Sequence, residues 1–175
     1  MRKSIFNASK AILEIATIKQ MTISTAESCT GGLIGSAFTS VPGSSSTFVG
    51  GFLTYSNQLK NALLGISPDL IERTGAVSRD VALVMAMESA RRLGSSFALA
   101  TTGIAGPGGG TPDKPVGTVW IGLADASGGQ PLATARQFRF PGTREQVRDR
   151  TVKAALQMLR LHLLGQEAVL LWEVE

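Results

Sequence analysis

A chain of 175 residues has the size of one domain, expected here to span 1–175, and folding at that length buries roughly 70% of the surface the unfolded chain exposes. Hydrophobic residues make up 43% and charged residues 17%, which argues against a disordered or fibrous chain and makes a disulfide or metal staple unnecessary. Seventeen Lys+Arg against thirteen Asp+Glu leave a net charge of +4, which suits an anionic small molecule as readily as nucleic acid, although no basic run or stripe favours the latter.

The start, Met1-Arg2-Lys3, has the charge of a signal peptide, but Asn7, Lys10 and Glu14 interrupt the apolar stretch that would follow, so no targeting segment is expected. Ala8, Ile12, Ile15, Ala16 and Ile18 instead predict an amphipathic helix over 7–20. Met21–Ala26 reads as a strand. The turn Glu27-Ser28-Cys29-Thr30-Gly31-Gly32 then leads into a helix carrying Leu33, Ile34, Ala37 and Phe38, ending before Pro42. A Gly/Ser loop over 41–46, a strand over Phe48–Tyr55 and a short helix over Gln58–Leu64, stopped by Gly65, come next. Ser78 caps a helix through Leu93 that ends at Gly94, and Phe97–Thr101 is an apolar strand. After a loop from Gly103 to Pro115, strands over 116–124 and 132–140 flank a turn at Asp125–Gly129 and form an antiparallel hairpin. Thr143 and Gln146 make a capping box for a last helix to about Leu164. The apolar tail Ala168–Trp172 either folds back onto the core or packs against another subunit, which leaves a homo-oligomer open. Alternating strands and helices predict an α/β fold of the three-layer type, a mixed sheet covered by helices. No apolar run approaches the roughly 20 residues of a membrane span, so no membrane partner is expected. Cys29, the single cysteine, points to a reducing, cytoplasmic setting.

The chemistry-bearing candidates begin at Ser28, which leaves a strand for a helix and would sit beside unpaired backbone N–H groups at the positive end of the helix dipole. Gly31 and Gly32 let the backbone approach a ligand. The alternative is that Ser28 or Thr30 only caps the helix. Serine needs a base to take its proton, and the single histidine, His162, shares a helix side with Val147, Met158 and Leu161, a position suited to packing. Lysine is the remaining candidate: Lys60 follows a strand end where Tyr55 and Asn57 converge with it. Burial would have to lower its pKa from about 10.4 toward about 7 to 8; otherwise it is an exposed, solvated lysine. Cys29 is a competing nucleophile or a small buried hydrophobe. Thr102-Gly103-Ile104-Ala105-Gly106-Pro107 opens a loop rich in glycine and proline that can offer N–H groups to an anion, but it fits neither dinucleotide nor P-loop spacing. Arg144 and Arg148, four apart on one helix side, either reach a phosphate or cover apolar surface with their stems. No His/Cys/Asp/Glu spacing suggests a metal.

Taken together, Thr25-Ala26-Glu27-Ser28-Cys29-Thr30-Gly31-Gly32, Pro42-Gly43-Ser44-Ser45, Gly51-Phe52-Leu53-Thr54-Tyr55-Ser56-Asn57, Gly75-Ala76-Val77-Ser78, Thr102–Pro107, Lys114-Pro115-Val116-Gly117-Thr118, and Gly142 with Arg144 and Arg148 stand in the order and spacing of a known family. The chain resembles the CinA C-terminal domain family of competence/damage-inducible proteins, in particular its stand-alone nicotinamide mononucleotide deamidases, over roughly residues 10–164. That resemblance implies hydrolysis of the carboxamide of nicotinamide mononucleotide to nicotinic acid mononucleotide and ammonia, in pyridine nucleotide salvage, with no cofactor. It carries the nucleophile to Ser28 and the base to Lys60, with Tyr55 close by. The expected substrate-binding set is Thr30, Gly31, Gly32, Ser44, Ser45, Asn57, Thr102, Gly103, Gly106, Arg144 and Arg148; Ser44, Ser45, Arg144 and Arg148 are its phosphate candidates. The rival expectation is a non-catalytic nucleotide-binding or regulatory module in competence or the DNA damage response. Long members of the family carry an N-terminal nucleotide-hydrolysing domain that is not expected here. Gln58 stands where an acidic residue is common, and the tail beyond Gly165 has no counterpart.

Overall fold

A computed structural model describes residues 3–129 and 131–166. Its elements run α1 (Lys3–Ile18), β1 (Ile23–Glu27), α2 (Leu33–Thr39), a 3-10 turn at Ser44–Ser46, β2 (Phe48–Leu53), α3 (Asn57–Leu64), α4 (Pro68–Thr74), α5 (Arg79–Leu93), β3 (Phe97–Gly103), β4 (Thr118–Asp125), β5 (Leu132–Arg139) and α6 (Arg144–Leu163). The tail 168–172 lies outside the described residues.

The strands form one sheet in the order β2-β1-β3-β4-β5, with β1 parallel to both β2 and β3, and β4 antiparallel to β3 and β5. This is the expected mixed sheet in three layers. β1 is buried along its whole length and β3 along nearly all of it, because helices cover both faces of the sheet's middle, whereas edge strand β2 alternates between half-buried and exposed positions. One face packs Ile12 of α1, Ile34 and Phe38 of α2 and Leu156 and Leu159 of α6 against Val119 and Ile121. Each such side chain contributes about 1.5–3 kcal/mol when fully buried. The other face is built of smaller groups: Ala98, Ala100 and Ala124 of the sheet meet Val81, Met85, Ala86 and Ala90 of α5. There α5 lies so close that a Cβ on Gly122 would come within 2.4 Å of the Ala82 carbonyl oxygen, so glycine sets the layer spacing. Among the described residues no helix is long and apolar enough to cross a membrane.

Capping explains why α5 and α6 start and stop where expected. The Ser78 side chain accepts from the Val81 N–H, and Gly94, at φ 60°, ends α5. Thr143 and Gln146 form the reciprocal capping box that opens α6. Two elements differ from the expected ones. The first helix begins at Lys3 and ends at Ile18, ahead of the expected 7–20. A helix absent from the sequence reading, α4, is capped by the Ser67 side chain and carries Pro68 in its first turn. The turn over 28–32 and the helix α2 that follows it at Leu33 are as expected, and they leave Ser28 five residues ahead of the helix.

Candidate active site

Registry brings three strand ends together. Glu27, the last residue of β1, lies beside Leu53 of β2 and Thr101 of β3. Chain connections leave β1 and β3 in opposite directions, so the crevice outside their carboxyl ends is a topological switch point, where open α/β sheets bind ligands. A cleft of about 190 Å³ opens there, lined by the buried Ser28, Cys29 and Lys60, by Thr102, Gly103, Ala105, Ala76 and Val77, and at its exposed mouth by Tyr55, Asn57 and Arg144.

Ser28 is held on both backbone sides, its N–H donating to the Thr101 carbonyl at 3.0 Å and its carbonyl accepting from the Gly31 N–H at 3.0 Å. Lys60 comes from α3, whose start is pinned by the Ser56 side chain accepting from the Leu59 N–H. Only 2% of Lys60 is exposed. Its Nζ donates to the Thr54 carbonyl at 3.0 Å and lies 3.1 Å from Ser28 Oγ. Burial lowers its pKa from the ordinary 10.5, since the uncharged amine suffers less from the loss of water. A neutral Lys60 keeps one N–H on Thr54 and turns its lone pair to the Ser28 hydroxyl, the arrangement of a general base beside its nucleophile.

Cys29 behaves differently. Burial pushes its thiol up to about 12, against a smaller opposing effect of the Thr101 hydroxyl. A thiol held there stays protonated at neutral pH and is a poor nucleophile, so the buried-hydrophobe reading of Cys29 fits its surroundings.

The helix-start picture of Ser28 needs correction. The first N–H groups of α2 are taken by the buried Glu27 carboxylate, which accepts from Ile34 N–H at 3.1 Å and Gly35 N–H at 2.8 Å. Glu27 thus caps α2 from the strand side and occupies two of the first N–H groups of the helix, which are therefore not donors for an oxyanion at Ser28. In the 28–32 turn itself the Ser28 and Gly31 N–H groups are already engaged, which leaves those of Cys29, Thr30 and Gly32 as candidate backbone donors.

The other expected site residues divide. Thr102, Gly103, Asn57 and Arg144 border the cleft. Thr102 also donates its hydroxyl to the Ala76 carbonyl at 2.7 Å, tying the α4–α5 connection to the end of β3. At Gly103 a Cβ would come within 2.7 Å of Val119 Cγ2, so glycine is required there by β4. Arg144 spans the mouth, donating to the Gly106 carbonyl at 2.9 Å and to the Tyr55 hydroxyl at 2.8 Å. Tyr55, 58% exposed, therefore stands at the rim with its oxygen on Arg144, apart from the Ser28–Lys60 contact, because it alternates in direction with the fully buried Thr54. Thr30 faces away from the cleft, its hydroxyl 2.7 Å from that of Thr101. Gly31 and Gly32 take φ of 62° and 88° to complete the turn, and Arg148 lies against Gly31, donating to the Thr30 carbonyl at 2.8 Å.

Ser44 and Ser45 are not brought to this cleft. They precede Phe48, which pairs with Ile23 at the opposite end of β1, so the five-residue strand separates them from Ser28 by roughly 16 Å at about 3.3 Å per residue. Glu27, Thr54, Thr101, Ala76 and Val77 are the site residues that sequence reasoning missed. Among the described residues no group of three or more His, Cys, Asp or Glu side chains could hold a metal ion.

Comparison with known proteins agrees with the fold. The model of the CinA C-terminal domain matches residues 6–163. A CinA-like protein of Chlorobium luteolum is 51% identical over 148 residues, 84% of this chain and 34% of that protein. One from Geotalea daltonii is 52% identical over 145 residues, 83% and 34% respectively. The chain thus spans about a third of the length of the curated relatives it matches. Among solved structures, the competence/damage inducible protein CihA of Agrobacterium tumefaciens superposes with a TM-score of 0.88 at 39% identity, covering 94% of this chain and 98% of that one. An Escherichia coli protein of the competence-damaged (CinA) superfamily does so at 0.84 and 31% identity, covering 94% and 93%.

Proposed function

This chain belongs to the CinA C-terminal domain family, and from that premise we propose that it hydrolyses the carboxamide of nicotinamide mononucleotide, releasing ammonia and nicotinic acid mononucleotide. The observation that carries the reading is the buried Lys60 amine 3.1 Å from the Ser28 hydroxyl, with burial favouring its uncharged form.

The steps balance with these two groups and water. Lys60 Nζ takes the Ser28 proton as Oγ attacks the carboxamide carbon, and the remaining N–H groups of the 28–32 turn are the candidates to hold the oxygen that becomes negative. The resulting ammonium of Lys60 returns its proton to the departing nitrogen, ammonia leaves, and an ester to Ser28 remains. Water gives a proton to Lys60 and attacks that ester; Ser28 Oγ leaves, takes the proton back from the Lys60 ammonium, and the acid is freed. Losing one oxyanion donor costs about 3 to 4 kcal/mol in enzymes of this kind.

Size and charge support the substrate class. Pockets that enclose drug-sized ligands measure about 300–1,000 Å³, so a cleft of about 190 Å³ accepts the carboxamide end and leaves the remainder at the mouth. Arg144 stands at that mouth, where an anionic group would exchange with Tyr55 for its guanidinium. Purified protein is expected to release ammonia from nicotinamide mononucleotide without added metal, and more slowly from nicotinamide itself, which lacks the anionic arm. Binding of the mononucleotide with turnover at background would contradict the reading and favour a regulatory nucleotide-binding module.

A further inference from the structure

Arg148 was a phosphate candidate on sequence grounds, yet it does not border the cleft. The capping box that starts α6 sets Arg144 and Arg148 four residues apart on one side of the helix, and the two guanidinium groups reach different targets. Arg144 meets Tyr55 and Gly106 at the cleft mouth. Arg148 meets the back of the turn that carries Ser28.

We propose that Arg148 is a positioning residue for Ser28, holding the 28–32 turn in its reactive shape and leaving recognition of the substrate's anion to Arg144. This rests on Ser28 being the nucleophile. The peptide group between Thr30 and Gly31 accepts on its oxygen from Arg148 at 2.8 Å and donates through its N–H to the Ser28 carbonyl at 3.0 Å. A continuous hydrogen-bond chain therefore runs from the guanidinium to the backbone of Ser28, and each link polarises the next.

Two further features match that role. Gly31 adopts φ +62°, and a Cβ there would stand 3.2 Å from an Arg148 terminal nitrogen, so the turn is shaped to admit the guanidinium. The Arg148 Nε is buried without a hydrogen-bond partner, a cost that a surface arginine covering apolar groups would avoid by turning to water.

The test compares wild type, Arg148→Met, Arg148→Lys and Arg144→Met in ammonia release, in affinity for nicotinic acid mononucleotide by calorimetry, and in amide hydrogen exchange. Arg148→Met is expected to lower kcat at least tenfold with KM and product affinity within about twofold, to speed exchange of residues 28–32 while leaving β3 protected, and to recover part of kcat in Arg148→Lys. Arg144→Met is expected to raise KM and weaken product binding. Arg148→Met raising KM tenfold with kcat retained would make Arg148 a substrate anchor, and unchanged exchange at 28–32 would overturn the proposal outright. Absence of turnover in wild type would remove the hydrolase reading, and the exchange result would still decide whether Arg148 holds the turn.

Discussion

Each end of the sheet carries a nitrogen base against an oxygen, and the two pairs are opposites in chemistry. At the carboxyl end of β1, Lys60 is buried against Ser28 and the Thr54 carbonyl. At the other end, His162 of α6 lies 2.7 Å from the Asp125 carboxylate, with side chains 40% and 29% exposed, and the histidine ring meets the edge of Phe97. Burial pushes the Asp125 carboxyl up, but hydrogen bonds from Ser127 and His162 outweigh it and hold the group below its ordinary value. Histidine is the usual base by residue type, and lysine the usual surface cation. Environment reverses the expectation: water and a carboxylate make His162 a tie between α6 and the hairpin, while exclusion of water favours the uncharged form of Lys60 that the proposed base needs.

The sharpest way to break that contrast is to remove Lys60. Lys60→Met is expected to lower ammonia release about 100- to 10,000-fold, the range for loss of a general base, and Lys60→Arg to restore none of it, because a guanidinium stays charged. Next comes pH. Rate is expected to fall about tenfold per unit as pH drops below the depressed Lys60 value, where the amine binds the proton it must accept. Stability responds in the same direction: below 10.5 the unfolded chain takes a proton that folded Lys60 resists, so stability declines from there down to the folded pKa and is flat beneath it. Thermal melts of Lys60→Met against wild type are therefore expected to shift in favour of the variant as pH falls through that window.

Smaller effects sharpen the comparison from the other side. Cys29→Ala is expected to keep the rate within about threefold and to lower stability by about 1 kcal/mol, read by denaturant unfolding, since it deletes a buried, protonated thiol. Loss of activity in Cys29→Ala with activity retained in Ser28→Ala would transfer the nucleophile to the thiol. His162→Gln is expected to leave kcat and KM unchanged and to lower stability by about 0.2–1 kcal/mol, the usual worth of a solvent-exposed pair. Because the Asp125 pKa is depressed, its contribution is present above the ordinary value of 3.8 and lost as pH falls through the folded one, so the difference between His162→Gln and wild type is expected to vanish in acid.

The parts of this molecule that local chemistry determines could be read from the sequence. α5 and α6 carry their caps within three residues of their starts, and β4 and β5 are joined by a short turn, so their register follows. Lys60 and Ser28 were reachable because a lone histidine on the last helix left few bases and the family resemblance covered both motifs. What escaped depends on distances across the chain. Glu27 caps α2 from seven and eight residues away, across a turn whose shape no capping rule encodes. Ser44 and Ser45 are near Ser28 in sequence but lie beyond the far end of a strand. The acceptor for Lys60 is a backbone carbonyl, which carries no mark in the sequence. α4 was missed because seven residues hold too little hydrophobic periodicity, although Ser67-Pro68 signalled its start.

The most direct test is an NMR titration of the Lys60 side chain in the folded wild-type protein. A midpoint well below 10.5 that coincides with the limb of the pH–rate profile is the result expected of a buried base acting on Ser28. A midpoint at or above 10.5 would mean that Lys60 is a cation throughout the working range and cannot take the proton.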